Sequence, residues 1–140
     1  MCRFMGFYME QKKKVLIVDD KTVNRYILRD IFEDEYDVVE CADGNEAIAA
    51  LKECTQEMAV ILLDIVMPGC DGFKVLEYMK EQKLQSIPVV LISANVDDEN
   101  IHKAYSYDVA DYIQKPFDEE VVRKRVESII KLFEMKKHGK

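Results

Sequence analysis

Six consecutive apolar residues, Met58–Leu63, break off at the carboxylate Asp64, and this junction constrains the fold of the 140-residue chain more than any other feature. A strand solvated on one face alternates apolar and polar residues. An uninterrupted apolar run of this length, bounded by turn residues, suits a parallel strand covered on both faces. Pro68 and Gly69 follow, so the chain turns there and leaves Asp64 reachable at the carboxyl rim of the strand.

Further runs repeat the pattern. Strand one is expected at Lys14–Val18, ending in Asp19-Asp20, and strand two at Tyr36–Cys41. Strand four, Val89–Ile92, opens after Pro88 and ends at Ser93, and a short fifth at Asp111–Ile113 leads through Gln114 to Lys115-Pro116. Between them lie helical stretches. Asn24–Phe32 carries Val23, Ile27, Leu28 and Ile31 on or beside one face. Asp43, with Glu46 three residues on, has capping-box spacing and opens a helix to about Glu53. Gly72–Lys83 turns Phe73, Leu76 and Met79 inward. Asp97–Tyr107 is weaker, with Ile101, Ala104 and Tyr105 as its only apolar stripe, and Asp118 caps a long last helix marked by Val122, Val126, Ile129, Ile130 and Phe133. Strand and helix in alternation predict an α/β domain, a doubly wound parallel sheet with helices on both faces. In such sheets functional groups collect beyond the carboxyl ends of the strands.

Composition bounds the rest. With 49% hydrophobic residues the chain can bury a real core as one domain, expected over residues 12–135. Residues 1–11 read as a loosely ordered leader, with Met9 an alternative start, and residues 136–140 as a tail or the start of a linker. No apolar run approaches the ~20 residues a membrane helix needs, so a cytoplasmic protein is expected. A net charge of −7 argues against direct nucleic-acid binding, which draws its affinity from cationic groups. Cys2, Cys41, Cys54 and Cys70 lack metal-ligand or redox spacing and read as small buried or turn residues; His102 and His138 are isolated.

Alone, each rim residue has an ordinary reading: Asp19-Asp20 as a solvated turn, Ser93 as a helix cap, Lys115 as a surface charge, Tyr112 as a half-exposed strand residue. Together they are a set. Two unit charges ~5 Å apart repel by roughly 3 kcal/mol at an effective dielectric near 20, so three carboxylates on adjacent strand ends call for a cation. A divalent ion held by few carboxylates and completed by water suits Mg²⁺. Two acids, a potentially nucleophilic acid, a hydroxyl and an ammonium form a site for phosphoryl chemistry. A cis bond before Pro116 would aim Lys115 inward.

The segments KVLIVDD, LLDIVMPGCDGF, LISAN and ADYIQKPF, in this order and at these intervals, resemble the receiver domain of two-component response regulators over nearly the whole chain. The resemblance implies a five-stranded flavodoxin-like sheet of order 2-1-3-4-5. It implies Asp64 as phosphoacceptor and Asp20 and Asp64 as Mg²⁺ ligands, with Asp19 acting through water and the Val66 carbonyl completing the set. Lys115, Ser93 and the Ala94 N–H would bind the phosphoryl group, and Tyr112 would be the aromatic that turns inward when Ser93 moves. The implied donor is a sensor histidine kinase or a phosphotransfer protein. Output would pass to an effector domain or protein through the fourth helix, fifth strand and last helix, a face also suited to homodimerisation. The domain would be no enzyme beyond its own phosphorylation and dephosphorylation. Departures are the serine at position 93, where threonine is commoner, and Asp108 at a turn often held by glycine; Val66 and Asn95 occupy places that influence phosphoryl lifetime.

Other folds that carry related chemistry fit less well. A haloacid-dehalogenase-like phosphatase needs an acid two residues beyond its nucleophile, where this chain has Val66. A flavodoxin needs a hydroxyl- and glycine-rich loop after strand one, where this chain has Asp19-Asp20-Lys21. A receiver-like interaction module that works without phosphate remains the alternative, against which the complete set of acids, hydroxyl and lysine argues.

Overall fold

Each expected apolar run becomes a strand in the computed structural model, which describes residues 12–68, 72–94 and 96–139. The expected leader, Cys2, Met9, Gly69, Cys70, Asp71 and Asn95 lie outside the described residues, as does the side chain of His138. The strands are β1 (Lys14–Val18), β2 (Asp37–Cys41), β3 (Met58–Leu63), β4 (Val89–Ser93) and β5 (Asp111–Gln114). The helices are α1 (Thr22–Phe32), α2 (Gly44–Cys54), α3 (Gly72–Glu81), α4 (Asp98–Tyr105) and α5 (Glu119–Gly139), with a single 3-10 turn at Thr55–Glu57. All pairings are parallel, in the order β2-β1-β3-β4-β5.

Strand alternation divides the core between the two faces of the sheet. Leu16 and Val18 of β1, with Ile61, Leu63, Val89 and Leu91, pack against Ala47 and Leu51 of α2, Val75, Leu76 and Met79 of α3, and Ala104 of α4. Val15 and Ile17, with Val60, Leu62, Val90, Ile92 and Ile113, pack against Leu28, Ile31 and Phe32 of α1 and Val122, Val126 and Ile130 of α5. All six residues of β3 are buried, as their uninterrupted apolar character requires.

Helix boundaries follow local chemistry. The Asp43 side chain accepts from the Glu46 N–H at 2.9 Å, and the Glu46 carboxylate reaches back to the Ala42 N–H at 2.7 Å, one residue before the usual partner of a capping box. Asp97 accepts from the Asn100 N–H at 2.9 Å, and Asp118 from the N–H groups of Glu120 and Val121. Asp108 adopts φ 65°, the left-handed conformation a glycine would occupy more easily.

Two expectations about packing are corrected. Val23 is 60% exposed, because the first turn of α1 sits at the carboxyl rim, past the last residue of β1. Tyr105 is 44% exposed: of the eight residues of α4 Ala104 alone is buried, and the next position already turns toward solvent. Phe73, expected to face inward, packs half-buried against the core, and Val75, not singled out by the pattern, is fully buried as well. α5 continues to Gly139, so most of the expected tail is helical.

Candidate functional site

Register brings the rim together. Val18 is aligned with both Cys41 and Leu63, and Ser93 with Gln114, so the residues that follow these strands emerge side by side. The Asp64 N–H donates to the Val18 carbonyl at 2.9 Å, the Asp19 N–H to the Cys41 carbonyl at 3.0 Å, and the Lys115 N–H to the Ser93 carbonyl at 2.9 Å. Backbone bonds of the sheet thus carry over into the site. The site stands where the strand order reverses, between β1 and β3.

Asp64 is buried, and both its oxygens are engaged. Oδ1 accepts from Ser93 Oγ at 2.7 Å and from the Val66 N–H at 2.9 Å. Oδ2 accepts from Lys115 Nζ at 2.9 Å. The same Nζ lies 2.8 Å from Asp19 Oδ2, so one ammonium bridges two buried carboxylates. The Lys115–Pro116 bond is cis, as expected. Burial pulls the pKa of Lys115 down, yet its hydrogen bonds to Asp19 and Asp64 outweigh that and leave it raised. Ser93 has no exposed surface; its Oγ accepts from the Ile65 N–H at 3.1 Å while donating to Asp64.

Asp20 is more exposed than Asp19 or Asp64, and ligand oxygens of the three come within 4.8 Å of one another. Among the described residues this is the cluster suited to a metal ion. An all-oxygen, anionic donor set at a solvent-facing rim fits Mg²⁺, which retains several waters. Val66 lies on the same loop with an exposed side chain. Ala94 follows β4 and is exposed. The half-buried Tyr112 packs against the α2–α3 side of the core, its hydroxyl 3.4 Å from the Ser93 carbonyl.

The structure therefore gathers Asp19, Asp20, Asp64, Ser93 and Lys115 as the sequence suggested, and adds residues it did not. Asn24 Nδ2 donates to Asp19 Oδ2 at 3.4 Å, and Arg25 Nη1 to the Asp19 carbonyl at 2.7 Å. Both lie on the helix after the acid pair, where a polar residue reads as ordinary solvated surface. Gly72 abuts the Asp64 loop so closely that an added Cβ would stand 2.8 Å from the Asp64 carbonyl oxygen. Its place as the first residue of a helix gave no such signal.

A doubly wound parallel sheet of this order defines a flavodoxin-like α/β domain, here with an aspartate-centred rim. Residues 15–127 match the response regulator receiver domain, and the chain belongs to that family. It is 35% identical over 119 residues to the transcriptional regulatory protein ResD of Bacillus subtilis, covering 84% of this chain and 48% of ResD. It is 32% identical over 117 residues to the regulatory protein VanRB of Enterococcus faecalis, covering 84% of this chain and 51% of VanRB. The chain thus spans about half the length of these curated relatives. The crystal structure of a CheY-like response regulator receiver domain protein from Methanospirillum hungatei superposes with a TM-score of 0.82 at 22% identity, covering 90% of this chain and 99% of that one, a likeness of fold. Receiver domains are signalling modules of two-component systems, in general phosphorylated on an aspartate. Among the described residues no helix is long and apolar enough to cross a membrane.

Proposed function

We propose that the chain is a Mg²⁺-dependent phosphoacceptor switch in which Asp64 receives a phosphoryl group from a sensor histidine kinase or a phosphotransfer protein. The observation that carries this reading is the Asp64 carboxylate itself, held between Ser93 Oγ on one oxygen and Lys115 Nζ on the other. In the transfer, an Asp64 oxygen forms a bond to phosphorus while the bond to the donor histidine nitrogen breaks and leaves its electron pair on that nitrogen. Position and charge neutralisation supply most of the rate in such reactions. Asp20, Asp64 and the Val66 carbonyl would hold Mg²⁺, with Asp19 acting through water; the ion supplies neutralisation of phosphoryl charge when bound.

The product replaces a monoanion by a group with greater charge and more acceptor oxygens. Lys115 Nζ, already 2.9 Å from Oδ2, can pass to a phosphoryl oxygen, and Ser93 Oγ and the Ala94 N–H can do the same. Moving Ser93 draws on β4 and on the carbonyl beside the Tyr112 hydroxyl, so Tyr112 is the residue through which the change reaches the surface of α4, β5 and α5. That surface carries the exposed Tyr105 and Val121, and it is the proposed contact for an effector domain or protein, or for a second copy of the chain. The proposed setting is the cytoplasm, with no direct nucleic-acid contact by this chain.

The test is intact-mass measurement after incubation with Mg²⁺ and a small acyl phosphate. One phosphoryl adduct is expected on the native protein, none with a chelator present and none on Asp64→Asn. An equal adduct on Asp64→Asn would refute the assignment.

A further inference from the structure

Arg25 lies outside the rim, on the second turn of α1, yet it makes one of the shortest contacts to the acid pair. Its Nη1 donates to the Asp19 carbonyl at 2.7 Å. Its Nε donates to Glu40 Oε1 of β2 at 3.1 Å, and its Nη2 to Thr22 Oγ1 at 3.3 Å. Glu40 is also paired with Arg29, so the carboxylate that orients Arg25 is itself anchored. The side chains of Arg25 and Glu40 are only 15% and 20% exposed, and the planar guanidinium presents its donors in a fixed fork.

The consequence lies in peptide geometry. The Asp19 N–H is held by the Cys41 carbonyl and the Asp19 C=O by Arg25. Because the peptide unit is planar, fixing that carbonyl oxygen fixes the plane shared with the nitrogen and Cα of Asp20. Asp19 has further anchors, since its side chain accepts from the Lys21 N–H and from Lys115. We infer that Arg25 is a positioning residue of the acid pair: by holding the Asp19 carbonyl it sets the direction from which Asp20 faces Asp64. This inference rests on the proposed use of Asp20 as a cation ligand.

Charge and position predict opposite signs. Arg25 is a cation close to a cation site, so its charge alone weakens metal binding, and Arg25→Met should tighten it. As a positioning residue Arg25 strengthens binding, and its loss should weaken it on the order of 10-fold, as happens when the groups that orient metal ligands are removed. Arg25→Lys keeps the charge but cannot hold Asp19 and Glu40 together, so it too should weaken binding. Arg29 is the control, because it pairs with the same Glu40 without touching Asp19.

The experiment is calorimetric titration of the full chain with Mg²⁺ alone, together with the amide NMR spectrum of the metal-free protein and its thermal midpoint. Both Arg25 variants are expected to bind Mg²⁺ more weakly and to shift the Asp20 amide before any metal is added; Arg29→Lys and Arg29→Met, which loosen Glu40 but leave the Arg25 bond to the Asp19 carbonyl in place, should do both far less at a comparable loss of thermal stability. Tighter binding by Arg25→Met, or equal weakening by the Arg29 variants, overturns the positioning role and leaves the phosphoacceptor reading standing. Absence of Mg²⁺ binding by the unsubstituted protein overturns both.

Discussion

Lys115 is the cation that lets Asp19 and Asp64 lie buried 2.8 and 2.9 Å from its Nζ. Lys115→Met would leave two desolvated carboxylates facing each other without it. Removing one partner of a fully buried pair costs about 3–5 kcal/mol, and because this site opens to solvent at the rim we expect roughly 2 kcal/mol. Denaturant unfolding without metal should show that loss, and Mg²⁺ should stabilise the variant more than the native protein, since a cation then replaces a missing charge. A variant that unfolds with the native midpoint would mean that water already compensates the acids. Asp64 and Ser93 were legible as rim residues because each closes or follows an apolar run, a position the pleat and register of a parallel sheet bring to one edge; Lys115, reached from a short strand through the polar Gln114, was legible only as part of the set and of the family resemblance. Arg25 and Asn24 were not: they approach the site from a helix, and nothing in an arginine's sequence neighbourhood reveals that its fork closes on a carbonyl six residues back.

At the scale of elements, Gly72 decides how α3 meets the loop that carries Asp64. A Cβ there would stand 2.7 Å from Ile65 Cα, 2.8 Å from the Asp64 carbonyl oxygen and 2.9 Å from Ile65 Cγ2. Two of these atoms are backbone, so the helix or the loop must move. Helix propensity favours Gly72→Ala by at most about 1 kcal/mol, and less at a helix end. Overpacking against backbone costs about 1–3 kcal/mol, so the net effect is destabilising. Because the displaced atoms belong to Asp64 and Ile65, phosphorylation by a small acyl phosphate should slow as well. A Gly72→Ala protein with native or higher stability and a native rate would show that α3 is free to slide. Strand positions were read well from apolar runs, and α2 and α5 from Asp43 and Asp118, because capping chemistry is local. The faces of α1 and α4 were read less well: burial of Val23 and Tyr105 depends on where the sheet ends beneath them, and periodicity carries no record of that edge.

The whole molecule is a proton-binding system, and one buried thiol makes part of its stability depend on pH at the alkaline end. Alternating strands and helices with right-handed crossovers limited the sheet to doubly wound orders, and the observed order β2-β1-β3-β4-β5 is the one the family resemblance implied. Cys41 ends β2 inside the cluster under α2 and α3, 3% exposed, and burial, with help from Glu46 and Asp43, pushes its thiol from an ordinary 9.0 to about 12. The folded chain therefore keeps this proton after the unfolded chain has released it. Below pH 9 both states hold the proton and the thiol contributes its full share of stability. Above that the unfolded state binds fewer protons, so stability falls as pH rises toward the folded value. One proton contributes at most about 1.4 kcal/mol per pH unit. The stability of the native protein relative to Cys41→Ala should accordingly decline from pH 9 to pH 10, measured by denaturant unfolding at fixed salt. Lys115, whose raised pKa places its own loss of stability above the ordinary lysine range, contributes equally to both proteins in that comparison and cancels. A difference that stays flat across the interval would mean that the thiol ionises in the folded chain as readily as in the unfolded one, and that the carboxyl end of β2 admits water.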